Sequence, residues 1–120
     1  MRKDERHIVT DEEFALFSKK VREFADMAGM SEWKIYTEKR KFKDQRDGES
    51  QQYYWQKKAS IRIADAIHPT ETIEYIAAHE VAELMLCQLD YMSKVTFNSE
   101  HVDEYRHEAV NHIVKLLLET

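Results

Sequence analysis

The stretch Ile76-Ala77-Ala78-His79-Glu80-Val81-Ala82-Glu83-Leu84-Met85-Leu86 constrains this chain most, because it joins a helical apolar pattern to three ionisable groups. Each helical residue turns the chain by about 100°. Ile73, Ile76, Ala77, Leu84 and Cys87 therefore gather on one broad apolar arc. Glu80 falls inside that arc, between Ile76 and Leu84, while His79 and Glu83 stand at its edge. A carboxylate on a core-facing stripe is costly unless it is paired, protonated or bound to a cation. Ionisable groups at the margin of an apolar stripe thus mark this helix as the place to look for function.

The tetrad reads H-E-x-x-E, and four residues of spacing put His79 and Glu83 on one helix face, one turn apart. Two side chains placed so can grip one metal ion: a neutral imidazole gives a ring nitrogen and a carboxylate gives an oxygen, both normal ligands for zinc. Glu80 beside them could take a proton from an activated water and pass it to a leaving amine. The alternative is a solvated His–Glu pair, and the apolar setting tells against it. A third ligand has to come from elsewhere, and a later helix offers His101, Glu104, His107, Glu108 and His112. That helix has an apolar stripe of Val102, Tyr105, Ala109, Ile113 and Leu116. His101, Glu108 and His112 lie along one flank beside Tyr105, Glu104 lies further round, and His107 falls towards the opposite side. The flank favours Glu108, with His101 or His112 supporting or substituting.

Around this helix the chain reads as one α+β domain of 120 residues, ordered from about residue 10 to 118. Thr10-Asp11-Glu12-Glu13 has the form of a capping box. A helix from Asp11 to Ala28 follows, with Phe14, Phe17, Val21, Phe24, Ala25 and Ala28 on its core face and Gly29 as its stop. Trp33, Ile35 and Thr37 alternate with Lys34, Tyr36 and Glu38 as in a half-buried strand, and Lys43 to Ser50 reads as a polar turn. Tyr53 to Ala64 is extended, either one strand or two joined near Gln56 to Lys58; three antiparallel strands are the expectation. Tyr53-Tyr54-Trp55 is read as cross-strand packing. Pro69 suits the first turn of the motif helix, expected from Thr70 to Leu89. After a link from Asp90 to Phe97, Asn98 or Ser99 would cap the last helix, reaching about Leu118.

Composition narrows the classes. Apolar residues at 42% and charged residues at 34% suit a folded domain, and a net charge of −5 gives no general attraction to nucleic acid or anionic membrane. The basic cluster Lys39, Arg40, Lys41, Lys43 and Arg46 has acidic neighbours and reads as a solvated strand and loop. One cysteine, Cys87, excludes an internal disulfide; in its apolar helix it reads as a buried, inert thiol. The start of the chain lacks a signal-like apolar segment, and no apolar run approaches the roughly 20 residues of a membrane span, so the cytoplasm is the simplest location. His7 and His68 are read as surface or capping residues.

The order of elements resembles the minigluzincins, small single-domain zincin-like metallopeptidases of phage and prokaryotic genomes. The similar segments are Gly29-Met30-Ser31-Glu32-Trp33-Lys34-Ile35, Ala59-Ser60-Ile61-Arg62-Ile63, His79-Glu80-Val81-Ala82-Glu83-Leu84-Met85-Leu86 and Glu108-Ala109-Val110. The resemblance spans about Asp11 to Leu118. It implies a minimal zincin-like fold, a zinc cofactor, a peptide substrate, His79 as first ligand, Glu80 as catalytic base and Glu108 as glutamate ligand. Glu83 departs from the family, which has histidine there. A carboxylate at that position makes a harder site, suited also to manganese or another divalent cation. The other consequence would be a catalytically inactive scaffold that binds a protein partner or regulates it. By the resemblance, Ala59 to Ala64 would pair with an extended peptide substrate.

Overall fold

Alternating branched residues in Ala59-Ser60-Ile61-Arg62-Ile63-Ala64 favour a pleated strand with one buried face, and that strand forms the middle of the protein. The structure is a computed structural model that describes residues 5–53, 56–86 and 99–119, with side chains of the last helix described from residue 107. In chain order the elements are β1 (His7–Ile8), α1 (Asp11–Met27), β2 (Lys34–Arg40), β3 (Gly48–Tyr53), β4 (Lys58–Ala64), β5 (Ala66–Ile67), α2 (Ile73–Met85) and α3 (Ser99–Glu119). Helices combined with a three-stranded and a two-stranded sheet make an α+β fold, in agreement with the sequence reading.

The capping box forms as expected. Glu13 N–H donates to the Thr10 hydroxyl at 3.1 Å, and Thr10 N–H donates to the Glu13 carboxylate at 3.0 Å. Helix α1 then buries Phe17, Val21, Phe24 and Ala25. It ends just before Gly29, whose φ of 79° lies in the left-handed region that glycine occupies without strain.

The three-stranded sheet has the order β2-β4-β3, with β3 antiparallel to β4 and β2 parallel to it. The expectation of three antiparallel strands is therefore corrected. Leaving β2, the chain passes the middle position and descends along the far edge as β3. It then turns back through Lys57 (φ 51°) to fill the middle as β4. The most apolar strand thus gains a neighbour on each side. A second correction follows: Gly48 to Ser50, expected in a polar turn, begin strand β3. The extended segment from Tyr53 resolves into the end of β3 and the whole of β4; Tyr54 and Trp55 lie outside the described residues.

Register fixes what faces what. Thr37, Ile61 and Ser50 form one row across the sheet. Thr37 shares a hydrogen bond of 2.7 Å with Ser18 of α1, so this row lies under the helices. Ala59, Ile61 and Ile63 of β4 are fully buried on that face.

Helix α2 starts later than expected, at Ile73 rather than Thr70. Thr72 caps it by accepting the Tyr75 N–H at 3.0 Å, which leaves Pro69 in the preceding turn instead of the first helical turn. The helix also ends earlier than the expected Leu89, at Met85 with Leu86 as C-cap, while Cys87 and the link from Asp90 to Phe97 lie outside the described residues. The single apolar arc is also too narrow a description: Ala78, Val81 and Ala82 are buried together with Ile73, Ile76, Ala77 and Leu84. Helices α1 and α3 and strand β3 all pack on α2, so it has little face left for solvent.

On α3 the buried side chains are Val110, Val114 and Leu117, while Leu116 is 54% exposed. The expected stripe through Ala109, Ile113 and Leu116 is therefore rotated by one residue; the side chains of Val102 and Tyr105 lie outside the described set. Two apolar rows compete on this helix, and packing chooses the one that fits. Among the described residues, no helix is long and apolar enough to cross a membrane.

Candidate functional site

Between α2 and the start of β3 lies a cleft of about 270 Å³. Tyr75, Ile76, His79 and Glu80 line it from α2, Gly48 with the loop residues Arg46 and Asp47 line it from the sheet, and Glu71 stands just before the helix. The Thr72 cap sets where α2 begins and so fixes which turns face β3. The loop is held too. Arg6 pairs with the Asp47 carboxylate, and that carboxylate also accepts the His68 N–H at 2.9 Å.

Glu80 is the buried carboxylate of the cleft, 7% exposed, and no cation pairs with it among the described residues. Burial pushes its carboxyl up to about 7. The field of His79 and the Ser50 hydroxyl oppose that rise, while the charges of Glu83 and Glu49 add to it. The carboxylate lies against Gly48: a Cβ there would stand 2.9 Å from Glu80 Oε2, 3.1 Å from Ile76 Cγ2 and 3.2 Å from the Arg62 carbonyl oxygen. A side chain there would make the carboxylate shift and Ile76 or the strand give by a few tenths of an ångström.

His79 and Glu83 come together as the helical spacing requires, with Nε2 3.3 Å from Oε1 and both side chains partly exposed. Two ligands on a tetrahedral zinc at 2.0–2.1 Å stand about 3.3 Å apart, so the spacing fits a shared cation. Tyr75, one turn earlier, stacks obliquely on the His79 ring with centroids 6.1 Å apart.

Among the described residues, the third-ligand candidates are not gathered with this pair. Glu108, His107 and His112 are exposed on α3, and the side chains of His101 and Glu104 lie outside the described set. Among the described residues no group of three or more His, Cys, Asp or Glu is gathered as a metal cage. Tyr75, at the start of α2, faces Asn111, His112, Lys115 and Leu118 near the end of α3, across a second cleft of about 450 Å³.

The remaining histidines behave structurally, as expected. His7 pairs with Glu13 at 2.7 Å and His68 with the Thr70 hydroxyl at 2.7 Å. Lys39, Arg40, Lys41, Lys43 and Arg46 are all exposed, as a solvated strand and loop should be. Sequence reasoning missed Gly48, Ser50, Glu71 and Tyr75 as parts of the site. The signal available was the period of two in Gly48, Ser50 and Gln52, which places one small and polar face of β3 towards α2. No protein-family model, curated protein or solved structure matches this chain.

Proposed function

We propose that the cleft beside α2 is the active site of a metal-dependent hydrolase, a minimal zincin-like peptidase. The observation that carries this reading is the 3.3 Å spacing of His79 and Glu83 next to a buried carboxylate that no cation pairs with among the described residues. His79 and Glu83 would hold a divalent cation, zinc or manganese, with Glu108 of α3 as third ligand and His101, Glu104, His107 or His112 as its substitutes. Such a cation supplies Lewis-acid charge to polarise a carbonyl group and acidify water. Glu80 accepts the proton of the attacking water and returns it to the amine nitrogen as the C–N bond breaks. Burial suits it to this exchange, because its proton affinity stands near neutrality.

The strand order argues against the substrate pairing that the resemblance implies. Both edges of β4 are occupied, by β2 and β3, so Ala59 to Ala64 cannot pair with a peptide. The outer edge of β3 is the open one beside α2, and an extended peptide hydrogen-bonded to Gly48–Tyr53 would pass the Glu80 carboxylate. A second reading, an inactive scaffold for a protein partner, draws support from His79 and Glu83 pairing with each other.

Elemental analysis and thermal melts with added zinc or manganese separate the two. The hydrolase reading expects bound metal and a raised melting temperature in the wild type, both lost in His79→Ala. Glu80→Gln should keep the metal and lose peptide hydrolysis. A protein that neither holds nor responds to either metal would leave the scaffold reading standing.

A further inference from the structure

We propose that the same cleft selects its ligand by charge, holding a cationic group, ammonium or guanidinium, between the Glu71 carboxylate and the Tyr75 ring. This inference rests on the cleft being the substrate site and names the class of substrate: peptides with a lysine or arginine side chain, or a free amino terminus, at that position.

The charges that line the cleft do not balance. Arg46 is committed to Asp44 at 2.7 Å and Glu49 at 2.8 Å. Asp47 is neutralised by Arg6. Glu71 also lines the cleft, half-buried, and among the described residues no cation pairs with it. That leaves the Glu71 carboxylate as the uncompensated charge of the cleft among the described residues. Tyr75, 37% exposed, lines the same cleft, and the face of such a ring attracts a cation and repels an anion. At about 270 Å³ the opening lies just under the small end of ligand pockets, about 300 Å³, which suits one side chain better than a cofactor. A half-buried carboxylate and an aromatic ring lining one cleft favour a cation over a neutral group of equal size.

Peptide binding measured by calorimetry on the full chain, in chelator and at low salt, tests this without any hydrolysis. The probes are N-acetylated pentapeptide amides with a central lysine, arginine, norleucine or glutamate among alanines, and the norleucine peptide with a free amino terminus. Lysine and arginine peptides should bind about tenfold more tightly than the acetylated norleucine peptide, roughly the effect of one favourable charge contact. Glu71→Gln should erase that difference, Glu71→Asp should keep part of it, and Tyr75→Phe should retain what Tyr75→Leu weakens. Tight binding of the free-amino norleucine peptide would assign the cation to the chain terminus. Equal binding of all acetylated probes, or an undiminished lysine preference in Glu71→Gln with a native circular dichroism spectrum, would overturn the proposal. Because no metal is present, failure of the hydrolase reading leaves this result readable, and the reverse holds as well.

Discussion

At the scale of single residues, the buried Glu80 carboxyl carries a stability signature. Its carboxyl stands at about 7 in the folded protein against 4.5 in the free side chain, so the native state holds the proton more tightly than the unfolded chain. The corresponding stability is fully present below pH 4.5 and is lost as pH rises through about 7. Across that window the loss amounts to about 3 kcal/mol. Glu80→Gln, neutral at every pH, should match the wild type near pH 4 in urea melts with chelator and exceed it by about 2–3 kcal/mol at pH 8. Parallel pH profiles for the two proteins would remove burial as the source of the raised pKa. Gly48→Ala tests the partner surface, since its Cβ would crowd Glu80, Ile76 and the Arg62 carbonyl. It should cost about 1–3 kcal/mol and lower hydrolysis more than Gly29→Ala, whose Cβ would meet nothing within 4 Å. Glu80 was legible in the sequence because helical angles alone put it on the apolar side. Gly48 was not, since Asp47-Gly48 carries a strong turn signal and the contact with Glu80 is made across 32 residues of chain.

At the scale of elements, legibility tracked how local the determining interactions are. Helix α1 reads directly because its cap, its core face and its glycine stop lie within one segment. Helix α2 reads well in its body and poorly at its start, where Pro69 suggests a beginning three residues too early and the Thr72 hydroxyl makes the cap. Strand β3 was invisible as a strand because Gly48-Glu49-Ser50-Gln51-Gln52-Tyr53 is polar on both faces. Its apolar cover is supplied by α2 and β4 instead of by its own side chains. The Thr72 cap bears on the site as well as on the fold, since it sets the first turn that positions Tyr75 and His79. Thr72→Ala should lower stability by about 1 kcal/mol in urea melts, and Thr72→Ser should restore most of it by keeping the hydroxyl acceptor. Equal loss in the two variants would point to the methyl group rather than the cap.

At the scale of the whole molecule, α2 is the shared wall of one core. Buried residues of α1, β4, α2 and α3 form a single apolar cluster, and α3 joins it through Val110, Val114 and Leu117. That continuity could not be read from α3 by itself, where Ala109, Ile113 and Leu116 make an equally regular stripe. Only the partner helix breaks the tie, and the choice turns Glu108 away from the buried row. The same packing predicts how the protein unfolds. If α3 docks as part of the common core, Val114→Ala should cost about 2 kcal/mol through lost burial and an imperfectly filled space. That cost should appear as one shifted transition, with far-ultraviolet and near-ultraviolet circular dichroism giving the same urea midpoint. The exposed neighbour Lys115→Ala should change stability by less than about 0.5 kcal/mol. An early helical phase in Val114→Ala, with the aromatic signal still native, would show that α3 melts apart from α1, α2 and the sheet. A third ligand on α3 would then be held by a separately melting element, and metal should sharpen the melt by fastening α3 to His79 and Glu83. A single transition instead means that packing alone holds α3 on α2 as part of the common core.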